Sequence, residues 1–328
     1  MIEIIITENQ GGQRLDRFLK KYFDKAPLSL IYKMIRKDVK VNGKRSTKEA
    51  MIQAGDRLAV YLSEEEAKAL QTQKKRVRAK RQFSIAYEDE NLLIAEKPFG
   101  LLTHGDKTEK KNHLANQVVD YLIEKGDYNP RADRTFAPAP AGRLDRNTTG
   151  LVMFGKNAPA LQELNRLIRE KDAIGKYYLT IVSGHMTRPL QLRDRMTKDE
   201  KKNMISVLPE ESDEGKLMET MAWPVQTAQH NGKWYTLVKV EIITGRTHQI
   251  RAHLARAGYP VIGDTKYGSP AINRMMQQAF GLNTHLLHAW QLEFRNPAGV
   301  LADLAGKTVE ASLPEQFDRI KTSLFGKN

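Results

Sequence analysis

The sequence predicts an α+β protein of two domains, and three observations carry that reading. Strand-like and helix-like segments alternate irregularly, without repeated strand–helix–strand units or a glycine-rich dinucleotide loop, which disfavours a doubly wound parallel sheet. The 328 residues are about twice the usual span of one domain, roughly 150 residues. Charge is divided unevenly along the chain. Of the formal excess of 14 positive charges, residues 1–62 hold six (thirteen Lys/Arg against seven Asp/Glu) and residues 63–82 hold four (seven against three). The expected division is a basic unit at 1–62, a basic linker at 63–82 and a larger domain at 83–328.

Composition narrows the function. The chain has no cysteine, which excludes a disulfide framework, a disulfide-linked partner, a thiolate zinc site and a cysteine nucleophile. A reducing compartment, the cytoplasm, is the expected location. No apolar run approaches the roughly 18 residues of a membrane span. The opening MIEIIITENQ is too short, too acidic and too poor in arginine for a signal or transit peptide, so neither a membrane nor export is expected. A compact basic unit in a chain of pI ≈ 9.7 suits a polyanion, because each Lys or Arg that neutralises a phosphate releases condensed counterions. Solubility alone is the competing explanation.

The elements follow in order. MIEIIIT reads as a short strand. From Gln13 to Tyr22, Leu15, Phe18, Leu19 and Tyr22 recur at i, i+3, i+4, i+7, one face of a helix. Ser29, after Pro27, is the expected cap of a second helix that turns Leu30, Ile31, Met34 and Ile35 inward and a basic face outward. VKVNGKR alternates around Asn42-Gly43, a strong hairpin dipeptide, and AGDRLAVYL points Leu58, Val60 and Leu62 one way. Residues 63–82 look helical in their first half and basic in their second. Beyond Phe83, FSIAYEDENLLIAEKPFGLLTH predicts two strands and a loop. AGRLDRNTTG predicts a loop into the strand LVMFG, followed by a helix with Leu161, Leu164 and Ile168 on one face. GKYYLTIVSG and KWYTLVKVEII read as strands, and TGRTHQIRAHLARAG enters a helix with a stripe of Ile250, Leu254 and Ala257. Residues 193–216 are polar and read as a surface insertion.

The chemistry-bearing residues are few. There is no GxxxxGK[ST] phosphate loop, hence no evident use of ATP. His248 and His253 lie five apart, roughly 140° round a helix, and His285 with His288 is a solitary pair, so no metal and no cofactor is expected. In GRLDRNTTG, extended backbone would place Arg143 and Asp145 on one face with Leu144 in the core, and Thr148, Thr149 and Gly150 would turn the chain. By composition alone Asp145 fits a turn or a surface ion pair.

The segments EKPFGLLTH, GRLDRNTTGL, GKYYLTIVSG, TGRTHQIRAHLARAGYPVIGDTKYG and LLHAWQLEF, in that order, resemble the motif series of the RluA-type pseudouridine synthases over roughly residues 83–320. Residues 1–62 resemble an S-four-type RNA-binding domain of helices plus a hairpin. The pair is similar to the subgroup that acts on large-subunit ribosomal RNA. This resemblance implies a core of mixed, largely antiparallel sheet flanked by helices, and isomerisation of uridine without a cofactor. It implies that Asp145 is the catalytic aspartate, that Tyr178 is the tyrosine of a Lys-x-Tyr motif begun by Lys176, and that Arg251 pairs with the aspartate. Arg143 would help hold the target nucleotide out of its helix. Lys176, Arg246, His248 and Gln249 are expected to contact substrate, and Lys33, Arg36, Lys37, Lys44 and Arg45 to contact RNA backbone. Gly142 stands where RluA-type sequences usually have histidine. Tyr177, on the opposite face from Tyr178, is expected to be an ordinary buried strand tyrosine. Phe99, Leu101 and Leu102 fit either a pocket wall or a core beside a turn. A monomer is expected. Transfer RNA as substrate, and a non-catalytic RNA-binding ribosome assembly factor, are the alternatives.

Overall fold

The computed structural model describes residues 1–72, 79–199 and 204–326. Its first part runs β1 (Ile2–Ile5), β2 (Gln13–Arg14), α1 (Leu15–Tyr22), α2 (Leu28–Lys37), β3 (Val39–Val41), β4 (Lys44–Arg45), β5 (Met51–Ile52), β6 (Arg57–Val60) and α3 (Glu64–Ala69). The apolar stripes of α1 and α2 meet a four-stranded antiparallel sheet of order β1-β6-β3-β4. Leu15, Phe18, Leu19, Ile31, Met34, Ile35, Leu58 and Val60 form the core between them. Asn42 (φ 51°) and Gly43 (φ 78°) both take the left-handed conformation that a tight hairpin needs to match strand twist. Ser29 is not a cap: α2 begins at Leu28 after Pro27, with no side-chain cap, and Ser29 sits inside the first turn. Proline's fixed φ already sets the entry of the chain there.

The helical half of 63–82 is α3, opened by a capping box in which Ser63 and Glu66 exchange side-chain-to-backbone bonds. Of the basic half, residues 73–78 lie outside the described residues, while Ala79 and Gln82 donate backbone N–H bonds to Asp120 and Gln117.

The second part contains β7 (Ser84–Glu88), β8 (Leu92–Lys97), α4 (Leu114–Lys125), β9 (Ala139–Ala141), β10 (Thr149–Gly155), α5 (Ala158–Arg169) and β11 (Ile174–Ser183). It continues with β12 (Leu190–Asp199), β13 (Met204–Leu208), β14 (Lys216–His230), β15 (Lys233–Ile242), α6 (Gln249–Arg256), α7 (Pro270–Phe280), β16 (Leu287–Phe294), β17 (Thr308–Glu310) and α8 (Glu315–Phe325). The strands form one sheet of order β13-β12-β14-β15-β11-β16-β10-β8-β7, with β17 beside β16 and β9 beside β10. Among the described residues every pairing in it is antiparallel except β10 with β16. Helices cover both faces. Helix α5 packs Ala160, Leu164 and Leu167 on Ile94, Met153 and Phe294. Opposite, α4 packs Leu114, Val118 and Leu122 on Leu93, Val152 and Phe154. Strand β10, buried along its whole length, is sandwiched between them.

Residues 193–216 were expected to be a surface insertion, but their described residues, 193–199 and 204–216, belong largely to β12, β13 and the start of β14 at the sheet's edge, where one solvated face permits polar side chains. Residues 200–203 lie outside the described residues. The turn of GRLDRNTTG also falls earlier than expected, at Arg146–Asn147, closed by Thr148 N–H to Asp145 C=O at 3.1 Å. Thr149 and Gly150 already belong to β10.

Candidate active site

Asp145 sits at the tip of the loop between β9 and β10. Leu144 is buried beneath it, 8% exposed, and Arg143 stands out in solvent, as period-two backbone requires. The loop is pinned from several sides. Thr103 Oγ1 donates to the Leu144 carbonyl and accepts from its N–H. Asn147 donates to Thr284, while Thr148 and Thr149 bond His285 and His288 at 3.0 and 2.8 Å. Lys97, 1% exposed, donates to the carbonyls of Pro98, Leu101 and Arg146. Its three donors thereby bind both loops at once. Burial pulls its pKa down to about 7, against the attraction of Asp145.

Arg251 reaches Asp145 from α6. Its Nη1 donates to Asp145 Oδ2 at 3.2 Å. Its Nε and Nη2 donate to Asp264 at 2.6 and 2.9 Å, a two-pronged pairing on a fully buried carboxylate. This is the geometry that a guanidinium offers and an ammonium does not. Burial works against the charge of Arg251, but the two carboxylates more than offset it and raise its pKa. Burial likewise pushes the Asp264 carboxyl up, but Arg251 and two backbone N–H donors prevail and lower it. Helix α6 itself is fixed by Gln249. The amide of Gln249 accepts from Thr244 and from the Arg246 N–H, and it donates to the Glu219 carbonyl and to Thr220. With two acceptor and two donor positions filled, Gln249 has nothing left for a substrate. It orients the helix, which departs from its expected role.

His248 begins α6 in the left-handed conformation (φ 54°). That uncommon backbone turns its ring toward Asp145, with Nε2 3.7 Å from Oδ2. Tyr267 accepts from Ile205 N–H and lies 3.0 Å from His248 Nδ1. Burial drives His248 down to about 4, so the ring is neutral, with Tyr267 beside Nδ1 and Asp145 beside Nε2.

Tyr178 comes from β11, where an irregularity in the pairing with β16 falls between Tyr177 and Tyr178. Its ring packs with Leu144, Val240, Ile250 and Ala289. Burial, reinforced by Asp145, raises its hydroxyl pKa, so it carries its proton at neutral pH. Together these residues bound a cavity of about 250 Å³ whose wall includes Arg143, Asp145, Lys176, Tyr178, Arg246, His248 and Arg251. That is slightly under the usual range for ligand pockets, roughly 300–1,000 Å³, and suits one base. Lys176 has its pKa lowered by burial, with Glu241 opposing. Arg246 donates to the Leu217 carbonyl and remains exposed.

Other expectations fare differently. Phe99 is 54% exposed, Leu101 is core, and neither they nor Leu102 line the cavity. Tyr177 is not an ordinary core tyrosine: it also borders the cavity, accepts from Arg295, donates to Glu293 and carries Lys239 over its ring at 4.1 Å. Lys33, Arg36, Lys37, Lys44 and Arg45 are all exposed on the first part of the chain, away from the cavity lining. Asp264 was not anticipated. In the sequence it stands inside the quoted segment TGRTHQIRAHLARAGYPVIGDTKYG, at the end of the apolar run YPVIGD, with nothing to mark it as the partner of Arg251. Among the described residues no three His, Asp or Glu side chains cluster so as to hold a metal ion, and no helix is long and apolar enough to cross a membrane.

A half-buried carboxylate held by an arginine, beside a tyrosine, in a small cavity on a mixed sheet defines an enzyme active site. Residues 91–256, half of the chain, match the family described as RNA pseudouridylate synthase, and the chain belongs to that family. It is 33% identical over 322 residues to the ribosomal large subunit pseudouridine synthase C of Pasteurella multocida, covering 95% of this chain and 89% of that protein. It is 33% identical over 306 residues to the protein of the same name from Escherichia coli, covering 90% and 88%. Among solved structures, human RNA pseudouridylate synthase domain containing 4 shares the fold, with TM-score 0.53 and 19% identity over 73% of this chain and 91% of that one.

Proposed function

We propose that this enzyme isomerises specific uridines in large-subunit ribosomal RNA with Asp145 as the essential group. The observation that carries the reading is the Asp145–Arg251–Asp264 array, which sets Asp145 on the wall of the cavity. The reaction breaks the uracil N1–C1′ bond, rotates the freed base and joins C5 to C1′. The C5 hydrogen leaves as a proton and N1 gains one, so atoms balance without redox chemistry. Asp145 serves as nucleophile or base, Arg251 holds it, and Tyr178 stacks on the uracil with its hydroxyl placed to move a proton. Lys176, Arg143 and Arg246 meet the neighbouring phosphates, and His248 lies beside Asp145. A stacked uracil cannot reach this carboxylate, so the nucleotide is flipped out, at a cost of a few kcal/mol.

Contacts from the basic face of residues 1–62, read as an S-four-type RNA-binding domain, offset that cost. The similarity to relatives named for the large subunit supports ribosomal rather than transfer RNA. Ribosomal RNA labelled with tritium at uracil C5 tests the assignment: wild type releases tritium and Asp145→Asn releases none. Equal release by the variant rejects it. The charged face has its own test. Replacing Lys33, Arg36 and Lys37 together by alanine should flatten the dependence of log affinity on log salt by roughly two units, at about 0.7–0.9 per lost phosphate contact.

A further inference from the structure

On the cavity's side of the sheet, at the far end of β15, the ring of Trp234 lies flat on that of His185, with centroids 3.9 Å apart and planes 10° from parallel. Both side chains face solvent, Trp234 at 39% exposure. The pair is built rather than incidental. Gly184 N–H donates to the Trp234 carbonyl and Ser183 N–H to that of Pro260. Thr236 grips the His185 segment at both ends, donating to the Gly184 carbonyl and accepting from Met186 N–H. Gly184 takes φ +118°, and the Tyr259 ring would lie 3.0 Å from any Cβ placed there. The surrounding stretches 183–192 and 228–236 contain Arg188 and Lys233 and not one Asp or Glu, in a chain that has 39 of them. Both cations are exposed.

A rigid exposed aromatic surface whose own two chain segments carry positive and no negative charge is the arrangement that binds unpaired bases, since every base has a face to stack and a phosphate beside it. Pre-organisation lowers the entropic cost of that contact. Trp234 and the cavity residue Ile242 are eight positions apart on β15, about 26 Å at roughly 3.3 Å per residue, and period two puts them on the same face. We infer that His185 and Trp234 form a second RNA-contact site, stacking an unpaired base of the substrate RNA about 26 Å from the nucleotide in the cavity. This rests on the reading that the substrate is a long RNA.

The test is steady-state kinetics on protein-free large-subunit RNA. Trp234→Ala should raise KM about 5- to 150-fold, the range of one lost base stack, with kcat within about two-fold, and Trp234→Phe should restore most of the loss. An unchanged KM on naked RNA overturns the inference, including the case where Trp234→Ala loses only binding to a ribosomal particle, which would make the surface a protein contact. A fall in kcat alone, or Phe as damaging as Ala, also overturns it. A full-length Asp145→Asn protein with Trp223→Phe and Trp290→Phe reads the contact without turnover. Quenching of Trp234 by RNA in that protein, with wild type inactive on every RNA, sinks the catalytic reading and spares this one. Wild-type activity without quenching sinks this one alone.

Discussion

At the scale of single residues, the unanticipated Asp264 explains how the arginine can be trusted to point one way. Two of its oxygens take Nε and Nη2, and one of them also accepts from Lys266 and Tyr267 N–H, so the guanidinium plane is fixed before any substrate arrives. Asp264→Asn removes one partner of a buried pair, a change that costs about 3 kcal/mol or more. We expect a lower urea midpoint, and kcat falling with little change in KM for RNA. A KM effect without a kcat effect would place Asp264 outside the machinery. Asp145 and Arg251 were legible as candidates because an aspartate in GRLDRNTTG and an arginine in a long motif are visible one at a time. Their partner was not, because pairing across 13 residues of helix and loop is a property of the folded chain. Gln249 was misread for the same reason: its motif marks it as important, and only the fold shows that its amide is spent on backbone and threonines.

At the scale of elements, the strongly periodic segments read true: α1, α2, β10, β11, β15 and α6 lie where the sequence places them within a few residues. The edge hairpin β12–β13 was hidden because a strand with a solvated face loses the apolar run that advertises it. The parallel contact of β10 with β16 could not be read at all, since it joins segments about 140 residues apart. Gly150 permits it. At φ +104° it lies so close to Ala289 that an added Cβ would stand 2.1 Å from that carbonyl oxygen. Gly150→Ala therefore combines an unfavourable φ with a backbone clash, together about 3 kcal/mol or more. Its melting temperature should drop by roughly 6–12 °C in a thermal scan, and a variant melting with the wild type would refute the account.

At the scale of the whole molecule, burial sets the response to acid. His248, His253, His285 and His288 are each driven down to about 4, with burial the leading cause. Unfolded, each titrates near 6.5. Between those values the unfolded chain binds protons that the folded one refuses, so stability present in full above pH 6.5 is lost as pH falls toward 4. Burial also lowers His104 and His113, so urea midpoints should fall steadily across this window, less steeply in His288→Gln; a flat profile would contradict it. The shared guanidinium has one more effect, which concerns the catalytic cycle. If Asp145 gives up its negative charge in forming a bond, Arg251 still holds a complete counterion in Asp264. No stranded cation appears at the heart of the protein midway through turnover, and the scaffold has no reason to rearrange before the modified RNA departs.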